Sequence, residues 1–163
     1  MGAICYTRVE SPVGPLLLAG DESGLGSLRF AKDKALRVPA PEWREDPRPL
    51  AEAMRQLEAY FAGELRRFDL ALNPTGTPFQ LQVWRELEKI PYGGMISYGE
   101  LARRIGKPDA PRAVGLANGA NPIPIIIPCH RVVGSTGKLT GYGGGLEIKE
   151  KLLALEQRQL VLS

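Results

Sequence analysis

The sequence predicts an α+β chain in two parts, strand-rich at the N-terminus and mostly helical at the C-terminus. Three observations carry that reading. Short strand-favouring runs, Ala3 to Val9, Leu16 to Ala19 and Leu25 to Phe30, are separated by turn residues. Asn73-Pro74-Thr75-Gly76 is a dense turn signal between two periodic segments. Beyond it, helix-start signatures precede apolar residues at helical spacing. A length of 163 residues suits one ample domain or two small ones, and the turn divides the chain into 1–74 and 75–163.

Within the first part, Ser11-Pro12-Val13-Gly14 and Asp21-Glu22-Ser23-Gly24 join the three strands as hairpin-like turns. Arg37 to Pro49, with four prolines, reads as an irregular surface connection. Leu50, Ala53, Met54, Leu57 and Phe61 recur at helical spacing and predict a helix that stops at Gly63, after which Leu65 to Leu72 is expected to add a strand. In the second part, Thr77 to Gln80 forms a capping box with Pro78 at the first helical position, and Phe79, Val83, Trp84 and Leu87 line an apolar face. A second box, Ser97 to Glu100, starts a helix ending at Gly106, and Pro111 opens another toward Asn118. These two, joined by Lys107-Pro108-Asp109-Ala110, resemble a helix-turn-helix. A last helix is expected from Leu146 to Arg158, with Glu156 on the face opposite Leu152, Leu153 and Leu155.

Composition excludes several classes. With 44% hydrophobic residues the chain is expected to fold, and no apolar run approaches the ~18 residues of a membrane helix. Met1 to Tyr6 lacks the regions of a signal peptide, so a cytoplasmic protein is expected, with Cys5 and Cys129 as free thiols. Cys5 reads as a strand residue rather than a metal ligand, because the only other Cys and the only His are elsewhere engaged. The net charge of +3 permits an anionic partner without demanding one.

Chemistry concentrates at Pro128-Cys129-His130-Arg131-Val132. A thiol beside the only imidazole, delivered by the apolar run Ile123 to Pro128, reads as a nucleophile with its base, because the thiolate is the reactive form. A buried, inert cysteine is the alternative for the dipeptide alone. The helix from Pro111 offers one charge, Arg112, and the small residues Ala113, Gly115 and Ala117. That surface has little to read bases with, but it permits close, sequence-independent approach to a minor groove.

Asn121-Pro122-Ile123-Pro124-Ile125-Ile126-Ile127-Pro128-Cys129-His130-Arg131-Val132-Val133, followed by Gly141-Tyr142 and Lys149 to Glu156, resembles the active-site signature of the O6-alkylguanine-DNA alkyltransferases. Tyr98 and Arg112 to Gly115 extend the match over about the last ninety residues. The resemblance implies a ribonuclease H-like N-terminal domain and a winged helix-turn-helix domain that binds double-stranded DNA containing alkylated bases. It implies direct-reversal repair by a monomer, with irreversible transfer of the alkyl group from O6-alkylguanine, and from O4-alkylthymine, to Cys129 after nucleotide flipping. It assigns His130 as base, Glu156 as its carboxylate and Asn121 as the residue holding the turns around the thiol. Arg112 takes the flipped nucleotide's place and Tyr98 pushes it out, with Ser97, Ala113 and Gly115 also at the DNA. Met95, Pro124, Val132, Tyr142, Gly143 and Gly144 form the base pocket. No metal and no cofactor are implied. Three rivals are weighed at this point: a cysteine hydrolase or acyltransferase using Cys129, His130 and Glu156 as a triad, a non-catalytic lesion-sensing module of the alkyltransferase-like type, against which Cys129 argues directly, and a winged-helix regulator, which the poor reading surface of Ala113 to Ala117 disfavours.

Overall fold

The computed structural model describes residues 3–30, 39–137, 141–142 and 144–162. It separates into two compact units, Met1–Thr75 and Gly76–Ser163.

The first unit is built on a sheet of order β3-β2-β1-β4, with β1 Cys5–Val9, β2 Leu16–Asp21, β3 Gly24–Phe30 and β4 Arg44–Glu45. The β1 to β3 strands are antiparallel neighbours, and every residue from Leu16 to Gly20 is buried. That run takes the centre because an apolar strand must be covered on both faces. Cys5 is a buried residue at the start of β1. The proline-rich connection is not wholly irregular, since β4 pairs with β1 in parallel through Arg44 N–H to Ile4 O (2.9 Å) and Asp46 N–H to Tyr6 O (3.0 Å). Two exposed charged residues leave no pattern from which such a strand can be read.

Helix α1, Ala51–Phe61, buries Ala53, Leu57 and Tyr60. The strand expected over Leu65 to Leu72 does not form; one bridge pairs Leu25 with Leu72. The buried Gln56 explains part of this, because its amide accepts from Asp69 N and donates to Asp69 O, both at 2.9 Å. A side chain thus satisfies backbone groups that a ladder would otherwise need.

The second unit opens with α2, Pro78–Leu87, whose capping box is complete: Gln80 N–H donates to Thr77 Oγ1 (3.1 Å) and Thr77 N–H to Gln80 Oε1 (2.9 Å). Trp84 is core, and its Nε1–H reaches Ala117 O at 2.8 Å. Strand β5, Ile96–Ser97, pairs in parallel with β6, Val132–Val133. Helix α3, Tyr98–Arg104, has half of its expected box. Ser97 Oγ accepts from Glu100 N–H at 3.0 Å, but the Glu100 carboxylate turns to Arg103 and Arg104 instead.

The turn after α3 needs Gly106, at φ 74°, where Gly106 N–H meets Arg103 O (3.0 Å) and Lys107 N–H meets Ala102 O (2.8 Å). This left-handed cap reverses the chain into α4, Pro111–Gly119. Helix α5 runs Leu146–Leu162, past the expected Arg158. Val83, Leu87, Ile90, Leu101, Val114, Ile123, Ile127 and Leu152 form a core on which the site is mounted, each worth roughly 1.5–3 kcal/mol of burial. No helix among the described residues is long and apolar enough to cross a membrane.

Candidate active site

Residues 123–128 are all buried, so the chain reaches Cys129 through the interior of the second unit. Two backbone devices shape the approach. Ile125 sits at φ 74°, a left-handed conformation that a β-branched side chain resists and that costs roughly 1–3 kcal/mol. Pro128, at φ −80° and ψ 63°, is the centre of an inverse γ-turn closed by Cys129 N–H to Ile127 O at 2.7 Å. Proline's fixed φ pre-sets that turn. Asn121 holds the loop from inside: Oδ1 accepts from Ile123 N–H (2.9 Å) and Nδ2 donates to Ile127 O (2.7 Å).

Cys129, His130 and Arg131 form one 3-10 turn, and all three side chains are buried. Burial pushes the Cys129 thiol up to about 11, against the opposing pull of a hydrogen bond from Asn121, the Lys149 charge and a hydrogen bond from Tyr142. His130 is 0% exposed, and its Nε2 lies 2.7 Å from Glu156 Oε2. A carboxylate only accepts, so Nε2 carries the hydrogen and Nδ1 keeps its lone pair. Burial lowers the His130 pKa, and the Glu156 carboxylate opposes that shift.

Glu156 is also 0% exposed. Besides His130, it accepts from Arg131 Nε (2.9 Å), Arg131 Nη2 (3.0 Å) and Gly93 N–H (3.0 Å). Burial would raise this carboxyl, but the hydrogen bonds and charges of His130 and Arg131 outweigh it and hold it at about 2. Arg131 Nη1 donates to Ile90 O at 2.7 Å, so the guanidinium is locked in place.

Sequence reading sets Glu156 opposite the α5 leucines, and the structure corrects this: Ile148, Lys149, Leu152, Leu153 and Glu156 share the buried face. Their spacing is that of one helical stripe, and a pattern that sends charges outward misplaces its two polar members. Sequence reading also passed over Arg131, Lys149 and Asn118. Lys149 is 0% exposed and donates to Val132 O at 2.7 Å; Asn118 Nδ2 donates to Cys129 O at 3.4 Å. The available signal was charge and amide at core positions of otherwise apolar stripes.

The structure thus brings Cys129, His130, Glu156, Asn121 and Tyr142 together. Val132 lies at the same turn, its N–H on Cys129 O and its carbonyl on Lys149. Pro124 and Gly144 are buried, while Met95 is 51% exposed just ahead of β5; Gly143 lies outside the described residues. On the helix pair, Tyr98 begins α3 and its ring lies against Gly115 of α4, with Ser97 as the cap. Arg112 and Ala113 are exposed at the leading end of α4, and Leu116 continues that face at 73% exposure.

Comparison with known proteins accounts for both units. Residues 4–74 match the family described as 6-O-methylguanine DNA methyltransferase, ribonuclease-like domain, and residues 78–158 match its DNA binding domain. The methylated-DNA–protein-cysteine methyltransferase of Methanosarcina acetivorans is 59% identical over 152 residues, 93% of this chain and 97% of that protein. Its counterpart from Mycolicibacterium paratuberculosis is 56% identical, covering 94% and 92%. A crystal structure of Mycobacterium tuberculosis OGT in complex with DNA superposes with a TM-score of 0.89 at 53% identity, covering 95% of this chain and 94% of that one. With both units matched in order and identity above one half along nearly the whole length, the chain belongs to the 6-O-methylguanine DNA methyltransferase family.

Proposed function

We propose that this chain repairs DNA by direct reversal, moving the alkyl group of O6-alkylguanine, and of O4-alkylthymine, to Cys129 once per molecule. The observation that carries the reading is the buried His130–Glu156–Arg131 assembly next to a thiol that burial keeps protonated. With its pKa near 11, only about one thiol in ten thousand would be ionised at pH 7, so a built-in base is required. His130 Nδ1 takes the hydrogen, and Glu156 stabilises the resulting imidazolium through Nε2–H. The sulfur attacks the sp3 carbon on O6; the S–C bond forms, the C–O bond breaks, and guanine keeps the electron pair and regains a proton. Overall the thiol hydrogen is exchanged for the alkyl group, which needs no metal or cofactor. The product is a thioether that water does not cleave, so the protein is spent.

The lesion lies inside the duplex, so the nucleotide must be rotated out. Arg112, at the exposed leading end of α4, fills the gap, while the Tyr98 ring supplies the push. Ser97, Ala113 and Gly115 allow α3 and α4 to sit close in the minor groove. Met95, Pro124, Val132, Tyr142 and Gly144 enclose the base, and Asn121 ties α4 to the active-site loop. Residues 75–163 bind DNA and carry the transfer, residues 1–74 serve a structural role, and the protein works as a monomer in the cytoplasm. Intact-mass measurement after incubation with an oligonucleotide containing O6-methylguanine tests this. One methyl group on Cys129 per protein is expected; transfer to Cys5, or repeated turnover, would overturn the mechanism.

A further inference from the structure

Two buried polar atoms of the second unit, His130 Nδ1 and Asn118 Oδ1, have no hydrogen-bond partner among the described residues. Such atoms are rare in folded proteins and call for a reason. Both belong to residues joined to Cys129, His130 through the chain and Asn118 through Nδ2 to the Cys129 carbonyl at 3.4 Å. Asn118 is 3% exposed and lies with Val114 and Ala117 on the buried face of α4. With Nδ2 on a carbonyl, Oδ1 is an acceptor. In the resting state His130 Nδ1 is an acceptor too, because Nε2–H goes to Glu156. The two atoms become complementary only when Nδ1 gains a hydrogen.

We infer that Asn118 is a positioning residue for proton transfer from Cys129: when the thiol hydrogen moves to His130 Nδ1, Asn118 Oδ1 accepts from the new N–H through one bridging water. The S–H bond breaks, the N–H bond forms, and Nε2–H stays on Glu156, so the hydrogen count is unchanged. Nδ2 meanwhile fixes the Cys129 backbone, so one amide serves both the nucleophile and its base. This rests on His130 acting as the base. Among the described residues, the charged and titratable groups around the pair are Glu156 and Lys149 from α5, Arg131 and Cys129 from the same turn, and Tyr142 from the following loop. The buried faces of α2 (Val83, Trp84, Leu87) and α4 (Val114, Ala117, Asn118) add none.

The test compares the parent with Asn118→Leu, Asn118→Asp and His130→Gln. Cys129 alkylation by free O6-benzylguanine is timed across pH by intact mass, with melting temperature and DNA affinity measured alongside. Leucine keeps the volume and removes an unpartnered acceptor, so the variant should fold. Its alkylation is expected to slow about tenfold near pH 7, with the deficit shrinking toward high pH and DNA affinity held within about twofold. Aspartate retains an acceptor but loses the Nδ2 donor to the Cys129 carbonyl, so its rate should fall at every pH, while the acidic limb of its profile moves to higher pH because a carboxylate favours the imidazolium. If His130→Gln is slow while Asn118→Leu follows the parent profile, Asn118 has no part in the proton transfer. If Asn118→Leu is slower by one factor at every pH, the residue is merely structural and the inference fails. Should Asn118→Leu not fold, the His130 pKa read by imidazole NMR in Asn118→Asp decides: a rise supports the contact, and an unchanged value overturns it. If His130→Gln reacts like the parent, the reading of His130 as base falls instead.

Discussion

Replacing Glu156 with glutamine tests the centre of the site, and the structure sets the size of the effect. The carboxylate accepts four hydrogen bonds, from His130 Nε2 and Arg131 Nη2 at Oε2 and from Arg131 Nε and Gly93 N–H at Oε1. Glutamine supplies one oxygen and one NH2. Whichever way the amide turns, its NH2 meets two donors, either His130 with Arg131 Nη2 or Arg131 Nε with Gly93 N–H. The guanidinium is left buried without its counter-charge, which costs about 3–5 kcal/mol. At roughly 2–4 °C per kcal/mol, melting should fall by about 6–20 °C. Alkyl transfer should slow near neutral pH, because the imidazolium loses its stabilising charge, and recover in part as pH rises toward the thiol's own ionisation near 11. The acid limb gives a further check. Glu156 is depressed from 4.5 to about 2, so its contribution is present above the unfolded value and disappears as pH falls through the folded one. That contribution is on the order of 3 kcal/mol in the parent and absent from the variant. Adding Arg131→Met should restore stability but not rate. A single Glu156→Gln variant that melts within about 2 °C of the parent and transfers at the parent rate would refute the argument.

Cys129→Ser should bind alkylated DNA and transfer nothing. Because the folded thiol is raised to about 11, the parent should lose stability as pH climbs from about 8.5 through that value, and the serine variant should not; chemical denaturation at stepped pH reads the difference. Arg112→Ala should slow repair of duplex DNA more than reaction with free O6-benzylguanine, which needs no extrusion; equal losses on both would contradict the filling role. Gly76→Ala places a Cβ 2.5 Å from Trp84 Cη2, on a ring held by its bond to Ala117 O, so thermal melts should show a loss of about 1–3 kcal/mol.

What the sequence determined by itself is local. Thr77-Pro78 with Gln80, Pro111 and Gly106 act through their own backbone geometry, so the starts of α2 and α4 and the turn between α3 and α4 could be read from residue types. The contiguous run from Asn121 to Val133 could be read the same way, since nucleophile, base and the turn that presents them are neighbours in the chain. Tertiary structure decided which side chains surround them. Nothing local distinguishes Glu156 and Lys149 from the solvated charges Glu147 and Lys151 of the same helix. They are buried because donors and acceptors from distant segments, Arg131, His130, Gly93 and the Val132 carbonyl, converge there. Asn118 likewise reads as an ordinary helix residue until folding sets it against Cys129. A buried charge is tolerable only where several partners meet, and that meeting is a property of the packed unit rather than of any one stretch of chain.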